Sequence, residues 1–282
     1  MGGGSWTTSA YDSYFASRGF DSSVITTNNV ESFYTAKRID PALDPRGVDY
    51  RECCDSEEHP NTIPVIFALD VTGSMGSACA AVARKLNEII TKLYEDVKDV
   101  EIMVMGIGDF AYDDAPLQVS QFESDVRILD QLGKIWFEKG GGGNMFESYS
   151  AAWYFALHHT KLDCWNRGKK GIIITMGDEP LNPYLPGSRF KRIFGYDSQD
   201  VDTVDLYREV TEKFDVYHII ITDPESCGKR YLDRDKTSWG NLLDGQHLFT
   251  RNSEELPDVV HDIVVGHSES NFMNFNMEGI SW

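Results

Sequence analysis

From about residue 61 the chain alternates between two patterns of apolar positions. The continuous apolar run at 63–69 and the largely apolar runs at 100–107, 171–175 and 216–222 read as strands covered on both faces, because a strand with one wet face would turn polar at every second residue. Between these runs apolar residues recur three or four positions apart. The groups are Val82, Leu86, Ile89, Ile90, Leu93; Ala152, Phe155, Ala156; Val204, Tyr207, Val210, Phe214; and Leu256, Val259, Val260, Ile263, Val264. That spacing is helical. Residues 117–122 predict a shorter, more polar strand and 125–136 a further helix. His247-Leu248-Phe249 predicts a weak edge strand, and Asn252 or Ser253 the start of the last helix. Strand–helix alternation of this kind predicts an α/β fold, a doubly wound and mostly parallel sheet flanked by helices.

The segments outside this pattern differ. Residues 1–60 form an arm with frequent Gly and Ser, weak periodicity and scattered aromatics: Trp6, Tyr11, Tyr14, Phe15, Phe20, Phe33 and Tyr34. Disordered tails are poor in aromatics, so this arm is expected to wrap on the body or dock on a partner. The body is expected to span 61–266. A tail, 267–282, carries Phe272, Met273, Phe275, Ile280 and Trp282 and is a second docking candidate.

Composition narrows the function classes. With 41% hydrophobic residues in 282 the chain is an ordinary globular protein, while a net charge of −19 disfavours nucleic acid and anionic membrane surfaces. The five cysteines, Cys53, Cys54, Cys79, Cys164 and Cys227, are odd in number and lack CxxC spacing. A disulfide framework is not expected, Cys53-Cys54 reads as an inert pair, and a reducing, cytoplasmic location follows. No apolar stretch reaches the length of a membrane span and no secretory signal is visible.

Candidate chemistry gathers at the carboxyl ends of the strands, where open α/β sheets bind ligands. Asp70 closes the first strand, and Thr72 and Ser74 follow at alternate positions around Gly73. Oxygen donors of this kind suit a hard divalent cation better than zinc. Two further loops leave the same edge. Gly140 to Asn144 allows close backbone approach and brings Asn144, Glu147 and Ser148 as oxygen donors. Thr175-Met176-Gly177-Asp178-Glu179-Pro180 places Asp178 past the third long strand. Asp109, after the second strand, is a supporting group on the same edge.

The run Asp70-Val71-Thr72-Gly73-Ser74, with these two loops, resembles the metal-ion-dependent adhesion site (MIDAS) of von Willebrand factor type A (vWA) domains. The resemblance covers residues 61 to 266. It implies a Rossmann-like six-stranded sheet of order 3-2-1-4-5-6 and a metal site of Asp70, Thr72, Ser74, Asn144 and Asp178, with Asp109, Glu147 and Ser148 behind them. Mg²⁺ is the implied cofactor, and Ca²⁺ and Mn²⁺ suit the same donors. The implied function is cation-dependent protein–protein interaction, as an adaptor or assembly factor binding an Asp or Glu of its partner. An AAA+ ATPase or a stress-response complex is the partner type so implied. Asn144 stands where the family has a threonine, and Asp178 lies two residues beyond the family's third aspartate position, here Met176.

The rival reading is enzymatic. Asp70 to Ser74 also resembles the phosphoaspartyl motif of haloacid-dehalogenase-like phosphotransferases, with Asp70 as nucleophile and Asp178 as metal ligand. Val71 replaces the lysine of the ion-pump form, and the glycine loop has no role in that reading. P-loop, nucleophile-elbow and zinc-protease motifs are absent. A third reading is a scaffold without a working cation site, binding through arm and tail. His158-His159 is expected to be solvated, and His218 to be a hydrogen-bonded core residue.

Overall fold

The computed structural model describes residues 6–19, 33–138, 144–224 and 226–278. Phe20, the glycines of 140–143, the side chain of Ser74 and the tail side chains beyond 268 lie outside the described residues.

Six strands form the central sheet: β1 (Ile63–Asp70), β2 (Val100–Ile107), β3 (Leu117–Val119), β4 (Gly171–Gly177), β5 (Phe214–Ile221) and β6 (Leu248–Arg251). Their order is β3-β2-β1-β4-β5-β6. All neighbours are parallel except β3, which returns antiparallel to β2. Asp70 pairs with Ile107, and Leu69 with Met176. The carboxyl ends of β1, β2 and β4 therefore meet on one edge.

Among the described residues the α-helices longer than four residues are α1 (Thr8–Ser17), α2 (Gly76–Asp96), α3 (Arg127–Leu132), α4 (Ser150–His158), α5 (Thr203–Val210), α6 (Leu232–Gly240) and α7 (Leu256–Glu278). Alternation along each strand sends side chains to two cores. Val65, Phe67, Leu69, Ile172 and Ile174 face a core shared with α2, α3, α7 and the arm. Ile66, Ala68, Met103, Met105 and Ile173 face one shared with α4, α5 and Trp239 of α6. Asn252 starts the last helical segment with a capping box: its side chain accepts from Glu254 N, and Glu255 Oε2 accepts from Asn252 N at 2.9 Å. The helix itself continues through Gly266 to Glu278.

The arm wraps on the body. Trp6, Tyr11, Phe15, Phe33, Tyr34 and Leu43 are all buried in the first core, each worth about 1.5–3 kcal/mol of hydrophobic transfer. Polar tips find partners as they enter: Trp6 Nε1 donates to Asn87 Oδ1 at 3.0 Å, and the Tyr11, Tyr14 and Tyr34 hydroxyls donate to the carbonyls of Arg84, Leu129 and Cys79. Further along, the arm closes the outer side of β3. Val119 N donates to Leu43 O at 2.8 Å, and Arg51 Nη2 reaches Val119 O at 3.4 Å. Residues Arg51–Cys53 then pair in parallel with Thr160–Leu162, a small sheet with no strong sequence signal. All five cysteines are free thiols, with Cys53 and Cys79 fully buried.

Four local expectations are corrected. The helix expected over 125–136 stops at Leu132, because the chain after Gly133 is held to β3: Gln118 bonds both the N–H and the carbonyl of Trp136 at 2.8 Å. The strand expected over 117–122 ends at Val119. Phe214 opens β5 instead of closing the preceding helix, whose buried apolar positions are Leu206 and Val210 while Val204 is exposed. His159 is buried, stacked between Phe155 and Phe194, with Nε2 2.7 Å from the Tyr196 hydroxyl. The ring is kept dry because Val48 O, 3.0 Å from Nδ1, supplies the other hydrogen bond. His218 is a core residue as expected, 2.8 Å from Thr175 Oγ1 and stacked on Trp239.

Candidate functional site

The first loop begins where β1 runs out of apolar residues. Asp70 has no exposed surface. Its Oδ1 accepts from Thr72 N at 2.9 Å and from Thr72 Oγ1 at 2.7 Å, the turn that an aspartate two residues before a hydroxyl favours. Thr72 is itself buried, and the Gly73–Met75 turn carries the backbone of Ser74 into α2. Cys79, in the first turn of α2, donates through Sγ to the carbonyl of Asp70 at 3.4 Å.

The third loop follows β4. Asp178 is fully buried, and its Oδ2 accepts from Cys227 N at 2.7 Å. The approach depends on Gly228, where a Cβ would fall 2.3 Å from Ile221 O and 3.2 Å from the Cβ of Asp178. Although displaced in sequence from the family position, Asp178 stands close enough to Asp70 for the two negative charges to raise the pKa of Asp70. Burial is the larger cause, and the hydrogen bonds from Thr72 and Tyr149 act the other way.

The second loop departs from expectation. Asn144 is exposed; its Oδ1 accepts from Phe146 N at 3.0 Å and its side chain lies against Asp109. Ser148 knits two loops, its Oγ accepting from Phe110 N at 2.8 Å. Asp109 is buried and serves its own turn, accepting from Ala111 N. Glu147 enters in their place. It is 6% exposed, its Oε2 has no hydrogen-bond partner, and its carboxyl is driven strongly upward by burial and then by Asp70, Asp113 and Asp109.

Tyr149 was not legible as a site residue. Its hydroxyl donates to Asp70 Oδ2 at 2.8 Å and accepts from Glu179 N at 3.4 Å. The side chain thus joins all three loops. Its fit requires Gly177, where a Cβ would lie 1.8 Å from the hydroxyl oxygen. Nothing in spacing distinguishes this tyrosine from the aromatics of α4 that follow it.

The chemistry of this donor set is specific. Among the described residues no three His, Cys, Asp or Glu side chains are arranged to hold a metal ion. What the loops do bring together is two buried aspartates beside hydroxyl groups, with the unpaired Glu147 near them. Like charges in a dry site are costly unless neutralised. Two carboxylates with hydroxyls fit a hard cation that keeps part of its coordination open.

Strand order 3-2-1-4-5-6, with the third strand alone reversed and the loops of strands 1 and 4 converging on Asp70, decides the fold. It is a vWA-like fold. The chain matches no family model and no curated protein. Solved structures similar in chain path include the vWF domain of a type V pilus tip protein from Porphyromonas gingivalis, at 13% identity and TM-score 0.46, covering 74% of this chain and 96% of that one. An aerotolerance-related membrane protein from Bacteroides fragilis is similar at 14% identity and TM-score 0.42, covering 71% and 97%. The pilus adhesin SpaC from Lactobacillus rhamnosus GG is similar at 10% identity and TM-score 0.44; 76% of this chain is covered but only 30% of the adhesin. In this vWA-like chain no described helix is long and apolar enough to cross a membrane.

Proposed function

We propose that this vWA-like chain is a protein-binding module whose docking depends on a divalent cation held by Asp70, Thr72, Ser74 and Asp178. The observation that carries the reading is the meeting of Asp70 and Asp178, both fully buried, with the charge of Asp178 adding to burial in raising the pKa of Asp70, beside the hydroxyl of Thr72. From the second loop it is Glu147 whose carboxyl feels the charge of Asp70. When bound, the cation supplies a Lewis-acidic position for an added oxygen anion, such as a carboxylate of the partner. The residues themselves fix the acceptors: the Asp70 carboxylate is held by Thr72 and Tyr149, and that of Asp178 by Cys227 N.

The rim supports a protein partner. Tyr112 (58% exposed), Met145 (65%) and Phe146 sit on two loops that Ser148 joins, and Tyr231 (45%) stands beside Arg234, which pairs with Glu179 at 2.8 Å. Exposed aromatic and Met side chains around a polar centre are the make-up of docking surfaces. The phosphotransferase reading has less support. Both oxygens of Asp70 already accept hydrogen bonds, and the group has no exposed face for in-line attack. An adaptor or assembly role beside an AAA+ ATPase or a stress-response complex is proposed on the family resemblance alone.

The test is a pull-down with the full chain in millimolar Mg²⁺, in chelator, and in chelator followed by restored Mg²⁺. The expected result is a partner retained, lost and regained in that order, and absent throughout for Asp70→Ala. Retention that ignores chelator would overturn the cation dependence.

A further inference from the structure

We infer that Tyr149 is a positioning residue that sets the size of cation this centre accepts, favouring Mg²⁺ over Ca²⁺. The inference rests on the cation reading above and extends it to selectivity. A carboxylate offers about four lone-pair sites to donors or cations. At Asp70 three are already engaged: two by Thr72, through its N–H at 2.9 Å and its hydroxyl at 2.7 Å, and one by the Tyr149 hydroxyl at 2.8 Å. The remaining site lets Asp70 serve a cation through one oxygen only, or through a bound water.

This restriction matters differently to the two ions. Ca²⁺ takes six to eight oxygens and gains from bidentate carboxylates, whereas Mg²⁺ demands a small octahedron and keeps several waters. A carboxylate pinned at both oxygens excludes the bidentate mode and so penalises the larger ion. The pin itself is rigid. The Tyr149 ring is fully buried and packs edge-on against both His218 (centroids 5.1 Å apart) and Trp239 (5.2 Å), which stack on each other at 3.5 Å. From the other side the backbone of Gly177 packs against the hydroxyl, so that a Cβ there would lie 1.8 Å from its oxygen. The fully buried Tyr149 and Gly177 therefore act as a pair.

Tyr149→Phe keeps the ring and its packing and removes the hydroxyl. The experiment measures Mg²⁺ and Ca²⁺ affinities of the full chain, wild type and variant, by calorimetric titration, with a thermal melt of each metal-free protein as the fold control. The expected outcome is a Ca²⁺-to-Mg²⁺ affinity ratio raised about tenfold in the variant, the order of effect of one hydrogen bond to a charged group. Should Tyr149→Phe not fold, Gly177→Ala displaces the same hydroxyl and is expected to move the ratio in the same direction. Equal weakening of both cations would show that Tyr149 merely supports the loops and would overturn the selectivity role while leaving the cation site standing. Wild-type protein that binds neither cation would overturn the cation reading and this inference with it.

Discussion

Replacing Asp70 by Asn should stabilise the protein in the absence of cations. Burial, then the charge of Asp178, pushes the Asp70 carboxyl up from 3.8 to about 7. A folded value above the unfolded one means the fold favours the protonated form. The stability this group contributes is complete below about pH 4 and is lost as pH rises through about 7. A rise of about three pH units, at about 1.4 kcal/mol each, makes the ionised carboxyl cost roughly 4 kcal/mol. Asn keeps the shape and the acceptor for Thr72, removes the charge, and gives back about 1–2 kcal/mol in weakened hydrogen bonds. The net expectation is a gain of about 2 kcal/mol at about pH 8 in chelator, and a flatter dependence of stability on pH between about 4 and 8. Urea unfolding across that range measures both. Adding Mg²⁺ should then invert the order: at about a hundred times the dissociation constant the wild type gains about 2.7 kcal/mol and the variant far less. An Asp70→Asn protein less stable than wild type in chelator at about pH 8 would refute the reasoning, as would an equal gain from Mg²⁺ in both.

Two further substitutions probe the frame around the site. Gly177→Ala places a Cβ 1.8 Å from the Tyr149 hydroxyl and 2.5 Å from its Cζ, in a ring with no room to withdraw; a loss of about 3 kcal/mol is expected from overpacking and the disturbed bond to Asp70, and an unchanged urea midpoint would contradict it. Phe15→Ala empties a fully buried position of the arm, stacked on Phe33. It should cost about 3–5 kcal/mol and lower one common transition seen by both circular dichroism and tryptophan fluorescence. A midpoint equal to wild type would mean that the arm lies loosely on the body.

The sheet was readable because its strands are buried on both faces. Runs such as 63–69 and 100–107 have few other uses, and their alternation with helical spacing leaves little choice of architecture. The first loop was readable for a local reason: Asp70 and Thr72 bond each other across two residues. The rest of the site was not, because its geometry is non-local. Tyr149 reaches Asp70 across 79 positions, and α4 behind it is buried from Ser150 to Ala156, so no amphipathic pattern marks a functional side. Asn144 and Glu147 are equally plausible oxygen donors by sequence; only the turn made by Asn144 with Phe146 N turns it aside. Phe214 misled because the helical spacing from Val210 runs on into the next strand.

The contact of Leu43 and Arg51 with Val119 has a consequence for how this protein avoids its own copies. An open sheet invites strand addition at both margins, and a bare margin is a template for aggregation. Here the outward N–H and carbonyl of Val119 on the β3 margin are occupied by the arm. The opposite margin, β6, is four residues long and ends in Arg251, a length and a charge that discourage pairing. A chain relieved of its arm would therefore uncover an unpaired strand edge as well as apolar surface. The same sixty residues that look least organised in sequence are what keep the sheet from growing.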